Sequence, residues 1–364
     1  MIFSLLRKCD ALLMIAVAIL ITFGFAAIFS VELSRGSEIF LQKQAIALGI
    51  GCAACAVIAT MNYHAFRHYS RGVYAIGILL LIFVLLFGRT LNGSTGWFVL
   101  GGFAFQPVEP MKVALMIALA AYLSERAKRR FGWRDVAITG ALVAVPVALL
   151  MRQPDLGGAV LFIGIWAVMV LFAGIRPVQI AALASVAALV VVMGWLLVFQ
   201  PYQKDRVMTF FDPSRDPLGT GYNVIQAQIA IGSGGILGRG LGDGSQSQLR
   251  FLPESQTDFV FAVIAEELGF VGALLLFAAC AVVLWRMIRI GRMAHDTFGA
   301  YLCIGAFSVI FIEIAIHVGA NISLMPATGI AFPFVSYGGS ALLLSLILIG
   351  VVQSVAVRLR PGDQ

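Results

Sequence analysis

Ten apolar runs, each close to the length needed to cross a bilayer, divide this chain and constrain its fold more than any other feature. A spanning helix needs about 20 mostly apolar residues, with a range of about 17–25. On that ruler the runs fall at roughly 11–30, 45–61, 73–88, 107–123, 135–151, 157–173, 178–199, 259–285, 299–320 and 340–357. Backbone groups in hydrocarbon find no water to bond, so each run must satisfy its own hydrogen bonds as a helix. The expected fold is therefore an all-α polytopic membrane protein. One membrane domain covers 1–364, with ten transmembrane helices and a large outer loop at 200–258 between the seventh and eighth. Composition agrees: 60% of the residues are hydrophobic and only 12% charged, against about 25% charged in soluble domains.

Charge orients the chain. A net charge of +7 could suit nucleic acid, but the basic residues sit mainly in short loops between apolar runs. Arg7, Lys8, Arg67, Arg71, the cluster "SERAKRRFGWR", Arg176, Arg286, Arg289, Arg292, Arg358 and Arg360 fall on one side. Arg35, Lys43, Arg89 and Arg152 are the few on the other. The positive-inside rule then puts both termini in the cytoplasm and makes membrane lipids, not nucleic acid, the surroundings. The first run follows Arg7 and Lys8 and exceeds a signal-peptide core, so it reads as an uncleaved span. The five cysteines, including the C-x-x-C of "GCAACAV", lie in or beside apolar runs and read as small packing residues.

Polar side chains gather at the outer ends of the spans. Asp258 heads the eighth, in "FLPESQTDFVFAVIAEELGF", and an acid beside hydrocarbon usually marks a function. The bland alternative is a helix cap, because a carboxylate at a helix start is favoured by the helix dipole. Glu266 and Glu267 lie roughly 12–14 Å deeper and point about 100° apart, so at most one could share a cavity with Asp258. Glu109 and Lys112 stand one turn apart, as a local ion pair or as a cation held for an anionic substrate. Glu313 and His317, at i and i+4, read as a hydrogen-bonded pair. The 321–339 segment, apolar yet rich in Pro and Gly, suits a re-entrant loop. Apolar patches in the 200–258 loop suggest amphipathic pieces folded back on the membrane. The sequence holds no P-loop, no G-x-S-x-G and no zinc-ligand spacing.

The stretch "FFDPSRDPLGTGYNVIQAQIAIGSGGILGRGLGDGSQSQLRFLPESQTDFVFAVIAEELG" closely resembles the large outer loop of the SEDS family (shape, elongation, division and sporulation). "FQPVEPMKVAL", "RQPDLGG" and "PFVSYGGSALL" resemble further motifs of that family, and "GSQSQLRFLPE" resembles its RodA-like elongation branch more than the FtsW-like division branch. The chain departs from the pattern at Thr95 and Gly96, where a basic residue usually precedes Trp97. It departs again at Asn223 and Ala227, where Gln and Ser are usual. The resemblance implies a peptidoglycan glycosyltransferase that polymerises lipid II, a disaccharide peptide on undecaprenyl pyrophosphate, at the outer face of the bacterial plasma membrane during elongation. It implies Asp258 as the catalytic residue, and Lys112, Glu109, Arg206, Gln153 and Ser336 at the substrate. It also implies a class B penicillin-binding protein as partner, its membrane helix against the eighth and ninth spans and its outer domain against the 200–258 loop.

The chemistry fits one acid. Glycosidases use two carboxyl groups because an alkoxide leaving group must be protonated. Pyrophosphate leaves readily, so that side needs charge stabilisation alone, and a single base takes the proton of the attacking hydroxyl. No metal site is expected from the residues. A divalent cation, Mg²⁺ or Mn²⁺, is the one candidate cofactor, and no ligand cluster in the sequence establishes it. The competing function is a flippase for lipid-linked cell-wall precursors, but transporter sites lie near the midplane, in broken helices.

Overall fold

The structure, a computed structural model, describes residues 8–34, 36, 39–91, 94–100, 103–127, 129–198, 204, 208, 212 and 220–359. It is a helical bundle whose long helices coincide with the apolar runs. In chain order these are α1 (Ala11–Leu33), α2 (Ile39–Thr60), α3 (His64–Phe87), α4 (Val108–Arg126), α5 (Trp133–Arg152), α6 (Leu156–Phe172) and α7 (Pro177–Met193, extended by a π-turn over Gly194–Val198). Two shorter helices follow, α8 (Thr220–Ser233) and α9 (Ser245–Gln248), then α10 (Val260–Met293), α11 (Thr297–Asn321) and α12 (Gly339–Ala356). Among the described residues, eight helices are long and apolar enough to cross a membrane; α6 is apolar but shorter. α4 falls outside that group and carries Glu109, Lys112, Glu125 and Arg126.

α4 owes its place to burial rather than to apolarity. Met111, Leu115, Met116 and Leu119 are fully buried along it, and Glu109 and Lys112 are buried too. Protein encloses these two charges, and that is the condition under which a membrane tolerates them. α7 is the opposite case. It buries none of its apolar window against the rest of the chain, and a helix apolar on all sides suits lipid contact.

Both ends of the bundle's chain meet on one face. The Asp10 backbone amide donates to Gln353 Oε1 at 2.8 Å, and Gln353 Nε2 donates back to the Asp10 carbonyl at 3.1 Å. Arg286 of α10 closes this knot on the Asp10 carboxylate, with Nε 3.0 Å from Oδ1. The opposite face carries the long connections. There the residues before α4, not anticipated as strands, form a small antiparallel sheet of β1 (Arg89–Leu91), β2 (Ser94–Leu100) and β3 (Phe103–Phe105). Phe98 pairs with Phe105 and Leu100 with Phe103. Thr, Trp, Phe and Val in "STGWFVL" favour a pleated strand, a signal that a ruler built for 20-residue runs passes over.

α10 is broken near its loop-face end. Gly269 adopts φ 65° and ψ −163°, outside helical space, and a Cβ there would lie 2.2 Å from the Gly238 amide nitrogen. A break frees backbone groups that must find partners. The loop after α8 supplies them: the amides of Arg239 and Gly240 donate to the carbonyls of Glu266 and Glu267, at 3.1 and 3.0 Å. The amides of Phe270 and Val271 donate to Gly235 and Ile236, at 2.9 and 3.1 Å. The two acids hold the same loop with their side chains. Glu266 accepts from the amides of Gln246 and Ser247 at the start of α9, at 2.8 and 3.2 Å. Glu267 accepts from Ser30 of α1 and, at 3.1 Å, from the Ser247 hydroxyl. α8 buries Ala227 and Ala230 and exposes Ile229, the amphipathic piece that the sequence suggested.

Candidate active site

The turn that leads into α10 is a local device for presenting an acid. The Glu254 carbonyl accepts from the amides of Thr257 and Asp258, at 3.1 and 3.0 Å, and Glu254 itself takes a left-handed φ of 50°. A non-glycine residue in that region costs roughly 1–2 kcal/mol, and such strain collects at functional sites. The N-cap of α10 is Phe259, so Asp258 stands one residue outside the helix and does not occupy the capping position. Three tertiary bonds hold the turn. Asn321, at the end of α11, donates from Nδ2 to the Asp258 carbonyl at 3.0 Å and to the His317 carbonyl at 2.9 Å. Ser336 Oγ donates to the Thr257 carbonyl at 2.7 Å, and the Tyr337 amide donates to the Gln256 carbonyl at 2.8 Å.

Asp258 lines a cavity of about 740 Å³ together with Lys112, Glu109, Trp97, Asp155 and Asn223. That volume lies in the range of about 300–1,000 Å³ typical of ligand sites. The "RQPDLGG" motif builds part of its wall. Asp155 caps α6 by accepting from the Gly158 amide at 2.8 Å. Gly157 lets the 328 backbone approach, since a Cβ there would meet the Thr328 carbonyl oxygen at 2.7 Å.

The cation in the wall is already engaged. Lys112 Nζ bonds Glu109 at 2.8 Å and also bonds Glu313 of α11. All three side chains are buried, and their formal charges sum to −1. An ammonium has three donors, and the two carboxylates take two of them. Both Glu109 and Lys112 face the cavity. The local pair expected from sequence is present, with a third member 201 residues away. A lone acid in an apolar run needs a cation, and Arg286 is taken by Asp10; that was the signal available for Glu313.

Other expected residues sit elsewhere. Gln153 ends α5 almost fully buried, donating from Nε2 to the Leu81 carbonyl at 2.9 Å, and does not line the cavity. Ser336 is buried and joins the segment between α11 and α12 to the Asp258 turn; its Oγ also accepts from the Phe332 amide at 2.9 Å. Arg206 lies outside the described residues. Glu313 and His317 do not pair: His317 Nδ1 lies 2.8 Å from the Ile330 carbonyl instead. Neither Glu266 nor Glu267 lines the cavity, because both carboxylates are turned to the loop. Among the described residues, no three His, Cys, Asp or Glu side chains converge to hold a metal ion. Sequence reasoning missed Asn321 and Glu254, whose contributions are a tertiary bond and a backbone angle.

Comparison with known proteins gives one consistent picture. A family profile for the FtsW, RodA and SpoVE proteins, described as "Cell cycle protein", matches residues 9–360. The chain is similar to the stage V sporulation protein E of Bacillus subtilis, with 37% identity over 95% of this chain and 96% of that protein. It is also similar to the peptidoglycan glycosyltransferase MrdB of Escherichia coli, with 34% identity over 95% of this chain and 93% of the relative. Among solved structures, a chain from a peptidoglycan synthase complex that coordinates polymerisation and crosslinking superimposes with a TM-score of 0.82. It shares 34% identity and covers 96% of this chain and 97% of its own.

The buried triad generates a stability prediction. Removing the cation leaves Glu109 and Glu313 facing each other in a low-dielectric site, and breaking such a cluster costs about 3–5 kcal/mol. Lys112→Ala is expected to melt well below wild type in a detergent thermal-shift assay, and Lys112→Met combined with Glu109→Gln and Glu313→Leu, which leaves no unpaired carboxylate, is expected to recover most of that loss. Equal melting of Lys112→Ala and wild type would mean that the triad contributes nothing to the fold.

Proposed function

The chain belongs to the FtsW, RodA and SpoVE family of cell cycle proteins and is a peptidoglycan glycosyltransferase; we propose that Asp258 is its general base. The substrate read for this site is lipid II, whose apolar tail, pyrophosphate and sugar call for a groove at a membrane edge. In the proposed reaction, Asp258 accepts the proton of the acceptor sugar's 4-hydroxyl as its oxygen attacks the anomeric carbon of the donor. The C–O bond to pyrophosphate breaks, and pyrophosphate leaves with the electron pair. One in-line displacement turns an α-linked donor into a β-1,4 product. Because the leaving group is already a good one, no second carboxylic acid has to protonate it.

The observation that carries this reading is the shared cavity: Asp258, Lys112 and Glu109 line one space at the loop face of the bundle. In the proposal, the remaining donor of Lys112 meets the pyrophosphate, and Glu109 and Glu313 hold the ammonium in place. Ser336 and Gln153 act one step back, by fixing the turn of Asp258 and the end of α5.

We further propose that the protein lies in the bacterial plasma membrane with both termini cytoplasmic and the 200–258 loop outside. The basic residues on the terminal face support this orientation. The partner proposed is a class B penicillin-binding protein, with its membrane helix on α10 and α11. The exposed apolar side chains of Phe270, Leu274 and Phe277 on α10 and Phe311 on α11 offer such a helix a surface. The "GSQSQLRFLPE" run supports the elongation branch.

Three outcomes test these proposals. Asp258→Asn keeps the side-chain shape but cannot take the proton at neutral pH, so polymerisation of lipid II should fall about 10²–10⁴-fold at an unchanged melting temperature. Near wild-type polymer from that variant would place the base elsewhere. In a cysteine-free background, Leu249→Cys should react with an impermeant maleimide on intact cells and Arg129→Cys only after permeabilisation; the reverse pattern would invert the orientation. Co-expression with the cognate class B transpeptidase should yield an isolable complex with raised polymerase activity, and failure on both counts would remove the partner.

A further inference from the structure

His317 is a buried polar residue that the mechanism above does not use. It is 2% exposed, and its ring is held on two sides. Nδ1 lies 2.8 Å from the Ile330 carbonyl, and the Phe332 ring packs edge-on with centroids 5.2 Å apart. A carbonyl only accepts, so Nδ1 carries the proton and Nε2 carries a lone pair. Nε2 has no hydrogen-bond partner among the described residues. An unmet buried acceptor costs about 1–3 kcal/mol, so its retention calls for a reason.

The reason lies in the space beside it. His317 lines a small cavity of about 10 Å³ with Asp258, Ala320, Thr328 and Gly329. A volume of about 10–15 Å³ on this measure holds one water molecule, provided that two to four polar groups surround it. Asp258 lines this small cavity and also the large one, together with Phe259, Ala327, Thr328, Gly329 and Ile330, so the two spaces adjoin at this residue. The backbones of the two residues are tied together as well, since Asn321 Nδ2 bonds both carbonyls.

We propose that His317 is a positioning residue for Asp258, acting through a single buried water that donates one hydrogen to His317 Nε2 and the other to the Asp258 carboxylate. The inference rests on the assignment of Asp258 as the base. The water holds one carboxylate oxygen from behind, so that the other is turned to the large cavity and the acceptor hydroxyl. A buried water with fixed partners is nearly as effective as a direct hydrogen bond. A neutral imidazole suits the role because it accepts from the water without bringing a charge into the membrane.

The test compares His317→Leu, which removes the acceptor, with His317→Gln, whose side-chain oxygen reaches a similar depth. Purified full-length variants are assayed on labelled lipid II, with kcat and KM read separately and melting temperature recorded. The expected result is that His317→Leu lowers kcat about tenfold at an unchanged KM, and that His317→Gln restores most of it. A merely structural histidine would move melting temperature and KM, and Gln would not rescue it selectively. Ala320→Val, which adds bulk at a residue lining the small cavity and leaves both polar groups in place, carries the same test should the leucine variant unfold. It is expected to reproduce the kcat loss. The inference is overturned if kcat stays within twofold of wild type in His317→Leu or Ala320→Val, or if Leu and Gln are equally impaired. Those results leave the base assignment standing as long as Asp258→Asn is inactive. An active Asp258→Asn overturns the base and the inference together.

Discussion

The break in α10 at Gly269 is the feature on which the functional face depends. A helix interrupted near a membrane surface exposes carbonyls and amides that lipid cannot satisfy. Here the loop after α8 inserts into the break and answers the carbonyls of Glu266 and Glu267 and the amides of Phe270 and Val271. Only glycine fits, because the backbone at 269 is left-handed and Gly238 presses against it. The insertion converts a long connection into a folded cap. Glu266 and Glu267 then hold α9 and α1 to the same place, so the residues between α9 and α10 span a short, fixed gap. The strained turn at Glu254 fills that gap and sets Asp258 at the rim of the cavity.

A second constraint comes from inside the bundle. α4 brings Glu109 and Lys112 to the cavity at the cost of burying charge, and Glu313 of α11 completes a triad that no pair could replace. Two carboxylates alone would repel, and a lone ammonium would pay the full desolvation of a buried ion. Together they form a polar wall with its donors pre-aimed, in a surrounding apolar enough to strengthen every electrostatic contact. The same helix is too polar to pass for a membrane span by composition, yet it is among the most enclosed in the protein. Function and placement are thus one problem for α4: charges needed at the cavity are affordable only at the centre of the bundle.

Recognition motifs acquire different physical meanings once their contacts are known. "RQPDLGG" supplies a helix cap at Asp155 and a close backbone approach at Gly157, while its Gln153 is a buried pin on the Leu81 carbonyl. "PFVSYGGSALL" works through Ser336, which ties the segment before α12 to the turn of Asp258. Gln44 of α2 holds that segment from the other side, with Nε2 3.2 Å from the Ser336 carbonyl and Oε1 3.1 Å from the Gly338 amide. A resemblance marks where such residues are, and the contacts say which of them touch the cavity and which only hold it in shape.

Hydropathy and charge are properties of short stretches, and what depends on them was legible in the amino-acid sequence alone. The apolar runs located the long helices, although two of these start earlier than their runs, at Ile39 and His64 instead of 45 and 73, and one runs on to Met293 instead of 285. The polar interruptions located Asp258 and the Glu109–Lys112 pair. The three strands at 89–105 escaped because their signal is propensity over three to seven residues, weaker than a 20-residue apolar run. Everything that rests on contacts between distant residues was left to the tertiary structure. That includes Glu313 as the third partner of Lys112, the two deep acids as clamps for a loop, and Asn321 as the bridge between Asp258 and His317. No local pattern encodes those pairings, because a hydrogen bond selects its partner by position in space. In this protein that position is set by how the helices pack around α4 and where α10 breaks.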